Sequence, residues 1–331
     1  MESKSKKNYN NPLSATYKGI SDLFRKTERV GELKPDERLD GKKVMITGSS
    51  SGLGLAAAKQ LAKLGAEVIM AVRSGIPERG EEVKKESGSN KVYMLHVDLS
   101  DFDSIKNLVT EVKKQFGKID ILICNAAVVS KKARKTKHGL EEMFTVNYLA
   151  KFVLVNRMLK EDMFIKGNGS LPRIIFVSSE SHRNPEAFEW DDFGNFREYG
   201  MGKSVERYGY YKLLMTTFSQ ELSRRLNPNQ HPEYSVFALC PGPVNSNIAR
   251  EAPAIFQPLM KLIFSLFFRS PEVASEPLIY LTTSRDVEGK ARDYLFLMSR
   301  KAVDEKAADP ENGERLWRMT EKLLQQYDVS L

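Results

Sequence analysis

The sequence predicts an α/β protein organised on a doubly wound parallel sheet. Short apolar runs alternate with longer helical stretches through most of the chain, a pattern that yields parallel strands with helices on both faces. The first of those runs ends in a glycine-rich turn that opens a helix, and such turns mark the first strand of sheets of this kind. The composition supplies a core: of 331 residues, 41% are hydrophobic and 28% charged, which excludes disordered and collagen-like chains. Two cysteines, Cys124 and Cys240, are too few for a disulfide framework and fit a reducing compartment.

Taken in order, Lys43–Thr47 (KVMIT) is too short for a helix and reads as a buried parallel strand ending at Gly48. Leu53–Leu64, rich in Ala and Leu, reads as a helix stopped by Gly65. Glu67–Val72 is the second strand, with a charged helical stretch after it. Lys91–Val97 is the third, a helix runs from about Ser100 to Phe116, and Ile119–Cys124 is the fourth strand. Helix Leu140–Leu159, strand Arg173–Ser178, helix Tyr208–Leu226, strand Ser235–Leu239, a helical stretch after Pro271 and a last strand at Tyr294–Met298 complete the alternation. Right-handed crossovers then leave a doubly wound sheet as the outcome. We expect one domain over residues 41–299, an N-terminal extension over 1–40 and a C-terminal helical tail over 300–331.

The turn after the first strand is Thr47-Gly48-Ser49-Ser50-Ser51-Gly52-Leu53-Gly54. Gly48 lets the chain turn sharply, Gly52 lets the backbone approach a pyrophosphate, and Gly54 lets helix and strand pack closely, which is the Rossmann-type dinucleotide loop. The helix start adds free N–H groups and partial positive charge. After the second strand comes Arg73, where an acid would bind the ribose 2′-hydroxyl. An arginine there favours a 2′-phosphate, so NADP(H) is expected over NAD(H), with NAD(H) left open. Asp98, followed by Leu99 at the end of the third strand, suits either the adenine amine or a cap for the next helix.

A Tyr four residues before a Lys occurs twice, at Tyr199/Lys203 and Tyr208/Lys212. Gly200 and Gly202 place the first pair in a loop with no fixed face. The second opens the helical run YGYYKLLMTTFSQELSRRL, which puts both side chains on one face.

Thr47–Gly54, Cys124-Asn125-Ala126-Ala127, Asn147, Val177-Ser178-Ser179, Tyr208 with Lys212, and Pro241-Gly242 follow one another in a fixed order. In that order the chain resembles the short-chain dehydrogenases/reductases of the classical type, from about Gly41 to Met298. The long gap between Ser179 and Tyr208, the run FSQELSRRL, and the end from Glu314 to Leu324 resemble the retinol dehydrogenase-like branch. That end, with SSGLGL and CNAAV, is also similar to light-dependent protochlorophyllide oxidoreductases, from which Ser178-Ser179 and Pro243 depart. The resemblance implies an oxidoreductase interconverting a carbonyl and an alcohol, with Tyr208 as general acid for reduction and base for oxidation. Lys212 is implied to bind the nicotinamide ribose and to lower the phenol from its ordinary value of about 10. It further implies that Ser179 steadies the substrate oxygen, that Asn147 holds a water on a proton path, that Asn125, Ala126 and Ala127 line the ribose, and that Pro241, Gly242, Val244 and Ser246 line the nicotinamide. Ser179 is equally suited to cap a turn, and Asn147 to satisfy backbone groups. Three positions depart from the usual family pattern: Ala127 for Gly, Tyr211 for Ser, and Ser246 for Thr. The two cysteines read as packed thiols, and no metal is expected.

Residues 1–40 carry nine Lys/Arg and seven Asp/Glu and show no apolar leader, so a cytoplasmic location is expected. Nor does any apolar run reach the ~18 residues needed to span a bilayer. Segment Ala249–Phe268 is strongly apolar and reads as a lid over a lipophilic carbonyl or alcohol, with peripheral membrane contact or a homo-oligomer contact left open. The formal net charge is +8, and its densest run, Lys131, Lys132, Arg134, Lys135 and Lys137, reads as a solvated loop. No nucleic-acid partner is expected. The competing functional class is a dinucleotide-binding regulatory or scaffold protein with vestigial chemistry, and within the enzymes, a protochlorophyllide reductase-like double-bond reductase.

Overall fold

The computed structural model describes residues 29–167, 169–229, 231–242 and 269–329. Eight strands form one sheet in the order β3-β2-β1-β4-β5-β6-β7-β8. They are β1 (Lys43–Thr47), β2 (Glu67–Val72), β3 (Val92–His96), β4 (Ile121–Cys124), β5 (Arg173–Val177), β6 (Ser235–Cys240), β7 (Arg292–Phe296) and β8 (Ser299–Arg300). The first seven pair in parallel. The two-residue β8 turns back antiparallel on β7; so short a strand leaves no periodicity in the sequence.

The central strands are apolar throughout because both faces of the sheet are covered. Alternation assigns Met45, Ile69, Ile174 and Phe176 to one face and Val44, Ile46, Val68, Ile175 and Val177 to the other, as a period of two requires. Helices α1 (Gly52–Lys63), α2 (Glu78–Ser87) and α6 (Pro271–Thr283) contribute Leu61, Val83 and Leu278 to the second layer. The first layer holds α3 (Phe102–Phe116), α4 (Ala150–Lys160), α5 (Met201–Leu226) and α8 (Pro310–Gln325). A short helix, α7 (Glu305–Ala308), precedes α8. The expected doubly wound sheet is therefore present.

Several local readings change. The third and last strands run Val92–His96 and Arg292–Phe296, shifted from the expected bounds. Helix α5 begins at Met201, seven residues before Tyr208, so Lys203 lies in its first turn and Tyr199 outside it. The two glycines do not prevent the helix; Gly200 is its N-cap and Gly202 has open space around it. The entry to α4 also departs from a plain helix. Glu142–Phe144 is α-helical, Thr145–Leu149 widens to a π-helix, and α4 follows.

The described part of the N-terminal extension lies against the domain. Val30 N–H donates to the Met298 carbonyl at 2.7 Å, and buried Glu37 accepts from Ser284 Oγ and Arg285 N–H. At the other end, α8 docks through a 2.5 Å hydrogen bond between Tyr148 and Thr320. Trp317 packs edge-on to Phe152 beneath the Arg225 guanidinium, 4.2 Å from the ring. Among the described residues no helix is long and apolar enough to cross a membrane.

Candidate active site

Parallel strands all end on one side, and the order reverses between β1 and β4, which opens a crevice beyond their carboxyl ends. The glycine loop fills the β1 side of it. Gly48 has φ +68, and a Cβ there would lie 2.7 Å from Ala126 Cα; at Gly54 a Cβ would lie 2.4 Å from the Gly48 carbonyl oxygen. Gly52, at φ +54, has open space instead. Ser51, the exposed N-cap of α1, makes no side-chain cap bond, and the first turn carries no acid. The helix start therefore keeps N–H groups and positive potential for an anion. Ser50 and Leu53 flank it, both half-buried. An open glycine beside uncapped N–H groups fits a dinucleotide pyrophosphate.

Thr47 and Asn125 spend their polar atoms on building this loop. Thr47 Oγ1 donates to Ile123 O at 3.3 Å and accepts from the N–H groups of Asn125 and Ala126. The Asn125 amide donates to the carbonyls of Thr47 and Gly48, both at 2.9 Å. Ala127 is exposed at the crevice rim, while Leu99 is buried. Asp98 accepts from Ser100 N–H and Oγ and does not cap α3; that cap is Asp101, correcting the helix-cap alternative. Arg73 stands exposed just past β2. Pro241 is buried and Gly242 half-buried with φ +76. Val244, Ser246 and the apolar segment 249–268 lie outside the described residues, as does 1–28 of the extension.

Ser179, Tyr208 and Lys212 come together at the end of β5. Gly209 allows it: a Cβ there would meet the Ser181 carbonyl at 2.9 Å, so α5 can press against the 3₁₀ turn Glu180–Arg183. Ser179 lies beside the half-buried Tyr208 phenol and caps that turn, accepting from Ser181 N–H at 3.2 Å. The turn-capping alternative is thus present. One helical turn on, fully buried Lys212 donates from Nζ to the Val177 carbonyl at 2.7 Å, 5.5 Å from the Tyr208 ring centroid. Burial pulls the Lys212 amine down to about 7, with the like charge of Lys151 adding to it. The phenol sits above its ordinary value, pushed up by burial and only partly offset by Ser179. This differs from the expected lowering by Lys212, whose amine points at Val177.

Asn147, wholly buried in the π-helix, accepts from Val128 N–H at 2.8 Å and donates to Val128 O at 2.9 Å. Its side chain thus satisfies backbone groups, as the alternative reading expected. Of the decoy pair, Tyr199 is buried and donates to Glu141 at 2.7 Å, away from Ser179. Tyr211 packs near Phe144. Both thiols are buried and raised, Cys124 to about 12 and Cys240 to about 11. The basic run is largely engaged: Arg134 with Glu142, Lys137 with Asp101 and Asp103, and Lys135 over the Phe196 ring.

Two residues escaped the sequence reading. Lys151 is one, four positions after Asn147 and hence on its face. His182, three after Ser179, is the other; among four histidines nothing marked it. His182 is wholly buried. Its Nε2 accepts from Asp304 N–H at 3.1 Å, so Nδ1 carries the proton and donates to Ser179 O at 2.7 Å. Burial holds the imidazole down at about 4. The folded state therefore binds the proton more weakly than an unfolded histidine near 6.5. We predict that stability falls by about 3 kcal/mol as pH drops from about 6.5 to about 4. Denaturant unfolding should show that slope in the parent and a flatter one in His182→Gln.

Comparison with known proteins agrees with this geometry. The family model for short chain dehydrogenases matches residues 42–189. Human retinol dehydrogenase 14 is 30% identical over 303 residues, covering 86% of this chain and 87% of its own. Human retinol dehydrogenase 13 is 30% identical over 323 residues, 95% and 94% of the two chains. A crystal structure of an uncharacterised Mycobacterium paratuberculosis protein superposes with a TM-score of 0.67 at 25% identity, covering 89% and 98%. The chain belongs to the short-chain dehydrogenase/reductase family, in its retinol dehydrogenase-like branch. It is accordingly an NAD(P)-dependent oxidoreductase acting on a carbonyl/alcohol pair of a small molecule.

Proposed function

We propose that the chain is an NADP(H)-dependent oxidoreductase for a hydrophobic carbonyl/alcohol pair, with Tyr208 as general acid/base. The observation that carries this is the gathering of Ser179, Tyr208 and Lys212 at the end of β5, one strand removed from the β1 end that bears the glycine loop. When bound, the nicotinamide supplies or accepts the hydride. Tyr208, held above its ordinary value by burial, keeps its proton at neutral pH and can donate it to a carbonyl oxygen as negative charge grows there. Ser179, fixed by the turn it caps, is placed to share that charge. Lys212 is anchored by Val177 O at the same strand end and has further N–H donors for ribose hydroxyls. The hydrophobic substrate class is supported by the similarity to retinol dehydrogenases.

Arg73 supports NADP(H): it stands exposed past β2, where its guanidinium can take a 2′-phosphate bidentately. We expect Arg73→Glu to raise the NADPH KM roughly tenfold while leaving that for NADH unchanged or lower. Equal use of both cofactors by the parent would remove the NADP(H) assignment. The functional reading as a whole is tested by presenting purified protein and NADPH with lipophilic aldehydes and ketones, retinoids among them. Cofactor consumption should depend on the carbonyl and be abolished in Tyr208→Phe.

A further inference from the structure

Lysine is almost never fully buried unless its amine is paired. Lys151, in the first turn of α4, is 2% exposed and, among the described residues, has no carboxylate as a partner. Its Nζ donates instead to two backbone carbonyls, Ala126 at 2.8 Å and Val146 at 2.9 Å. Both matter to the cleft. Ala126 lies two residues beyond β4 and packs on Gly48 of the glycine loop. Val146 belongs to the π-helical turn, a widening common at functional sites. A second buried amine sits at the end of the adjoining strand, where Lys212 Nζ donates to Val177 O. Strands β4 and β5 are hydrogen-bonded neighbours, with Cys124 opposite Phe176. The two amines thus occupy the ends of adjacent strands, which run about 4.8 Å apart.

We propose that Lys151 is a positioning residue of the cofactor cleft, holding the Ala126 carbonyl in place and setting, through its charge, the pH at which Lys212 gives up its proton. The proposal rests on the reading of this cleft as the cofactor site. The titratable groups facing the pair are Cys124 on β4 for Lys151, and Cys240 on β6 and Tyr208 on α5 for Lys212. Burial keeps both thiols raised and hence neutral at physiological pH, so neither supplies a counter-charge. Lys151 itself is held down at about 8 and Lys212 at about 7, burial being the larger cause for each. Below about pH 8 Lys151 is thus a like charge beside Lys212, and like charge disfavours the ammonium.

The sign of the test follows. Protonated, Lys212 has two N–H donors beyond its bond to Val177, and neutral it has one and no charge, so affinity should weaken as pH rises through its midpoint. Removing the charge of Lys151 should move that midpoint up. NADPH titrations across about pH 6 to about pH 9, read by protein-to-nicotinamide energy transfer, test this without turnover. NADH serves as the control because it lacks the 2′-phosphate, which titrates at the low end of that range. Lys151→Met should raise the midpoint by roughly one pH unit and weaken binding a few-fold at every pH through the loosened Ala126 carbonyl. Lys151→Arg, which keeps the charge and donors, should restore the parental midpoint. A Lys151→Met protein that binds more weakly but at the parental midpoint would overturn the inference and leave Lys151 a structural plug. A parent that binds neither cofactor at any pH would overturn the reading of the cleft itself.

Discussion

Tyr208→Phe should bind NADPH as the parent does and lose carbonyl turnover by a factor of roughly 10²–10⁴, the usual worth of a positioned proton donor. The substitution deletes one oxygen from a half-buried ring packed on the main core, so the fold should survive. The oxygen removed is the phenol that lies beside Ser179, and Phe has no proton to give. Lys212 keeps its own anchor, because that bond goes to the Val177 carbonyl. A loss confined to kcat would mark Tyr208 as the proton donor. Unchanged function in a cellular assay would instead favour the rival class, a dinucleotide-binding scaffold with vestigial chemistry.

The second large effect is expected at Gly54. Its Cβ would be placed 2.4 Å from Gly48 O, 2.5 Å from Asn125 Nδ2 and 2.9 Å from Ser49 Cα. Two of the three are backbone atoms, and the third is the amide that holds the loop, so no flexible side-chain tip can move aside. Gly54→Ala should cost about 1–3 kcal/mol of stability by overpacking. It should also displace the loop and weaken NADPH binding by roughly 10²-fold, the scale of a misplacement near 1 Å. Parental affinity in a fluorescence titration would show that the loop does not carry the pyrophosphate. Gly52→Ala provides the contrast: nothing lies within 4 Å of its Cβ, and its cost should come from the positive φ and from crowding the ligand.

Much of this was legible in the residues. Apolar strands covered on both faces appear as unbroken runs such as KVMIT and ILIC, and the glycines read as a loop because a strand precedes them and a helix follows. The two Tyr/Lys pairs part in the structure: Lys212 reaches the Val177 carbonyl at the end of β5, while Tyr199 bonds to Glu141. The glycines did not mark a loop, however, as α5 runs back to Met201 through Gly202, with Gly200 as its N-cap. Less legible were features set by tertiary contact. Nothing local distinguishes Lys151 from a surface lysine, and its burial depends on carbonyls 25 and 5 residues away. His182 owes its neutral state to burial and its tautomer to the Asp304 N–H, 122 residues on. That Asn147 bonds both backbone groups of Val128, 19 residues back, is likewise set by tertiary contact. The phenol was expected to be lowered by an ammonium, and burial reverses the direction.

The most direct test is a single assay of carbonyl-dependent NADPH oxidation by the purified protein, with the alcohol product quantified against cofactor consumed. The site described here predicts one alcohol formed per NADPH oxidised for at least one lipophilic aldehyde or ketone, and none with Tyr208→Phe. Protein that binds NADPH but consumes it with no carbonyl, and yields no NADPH from NADP⁺ with any of the matching alcohols, would contradict the account.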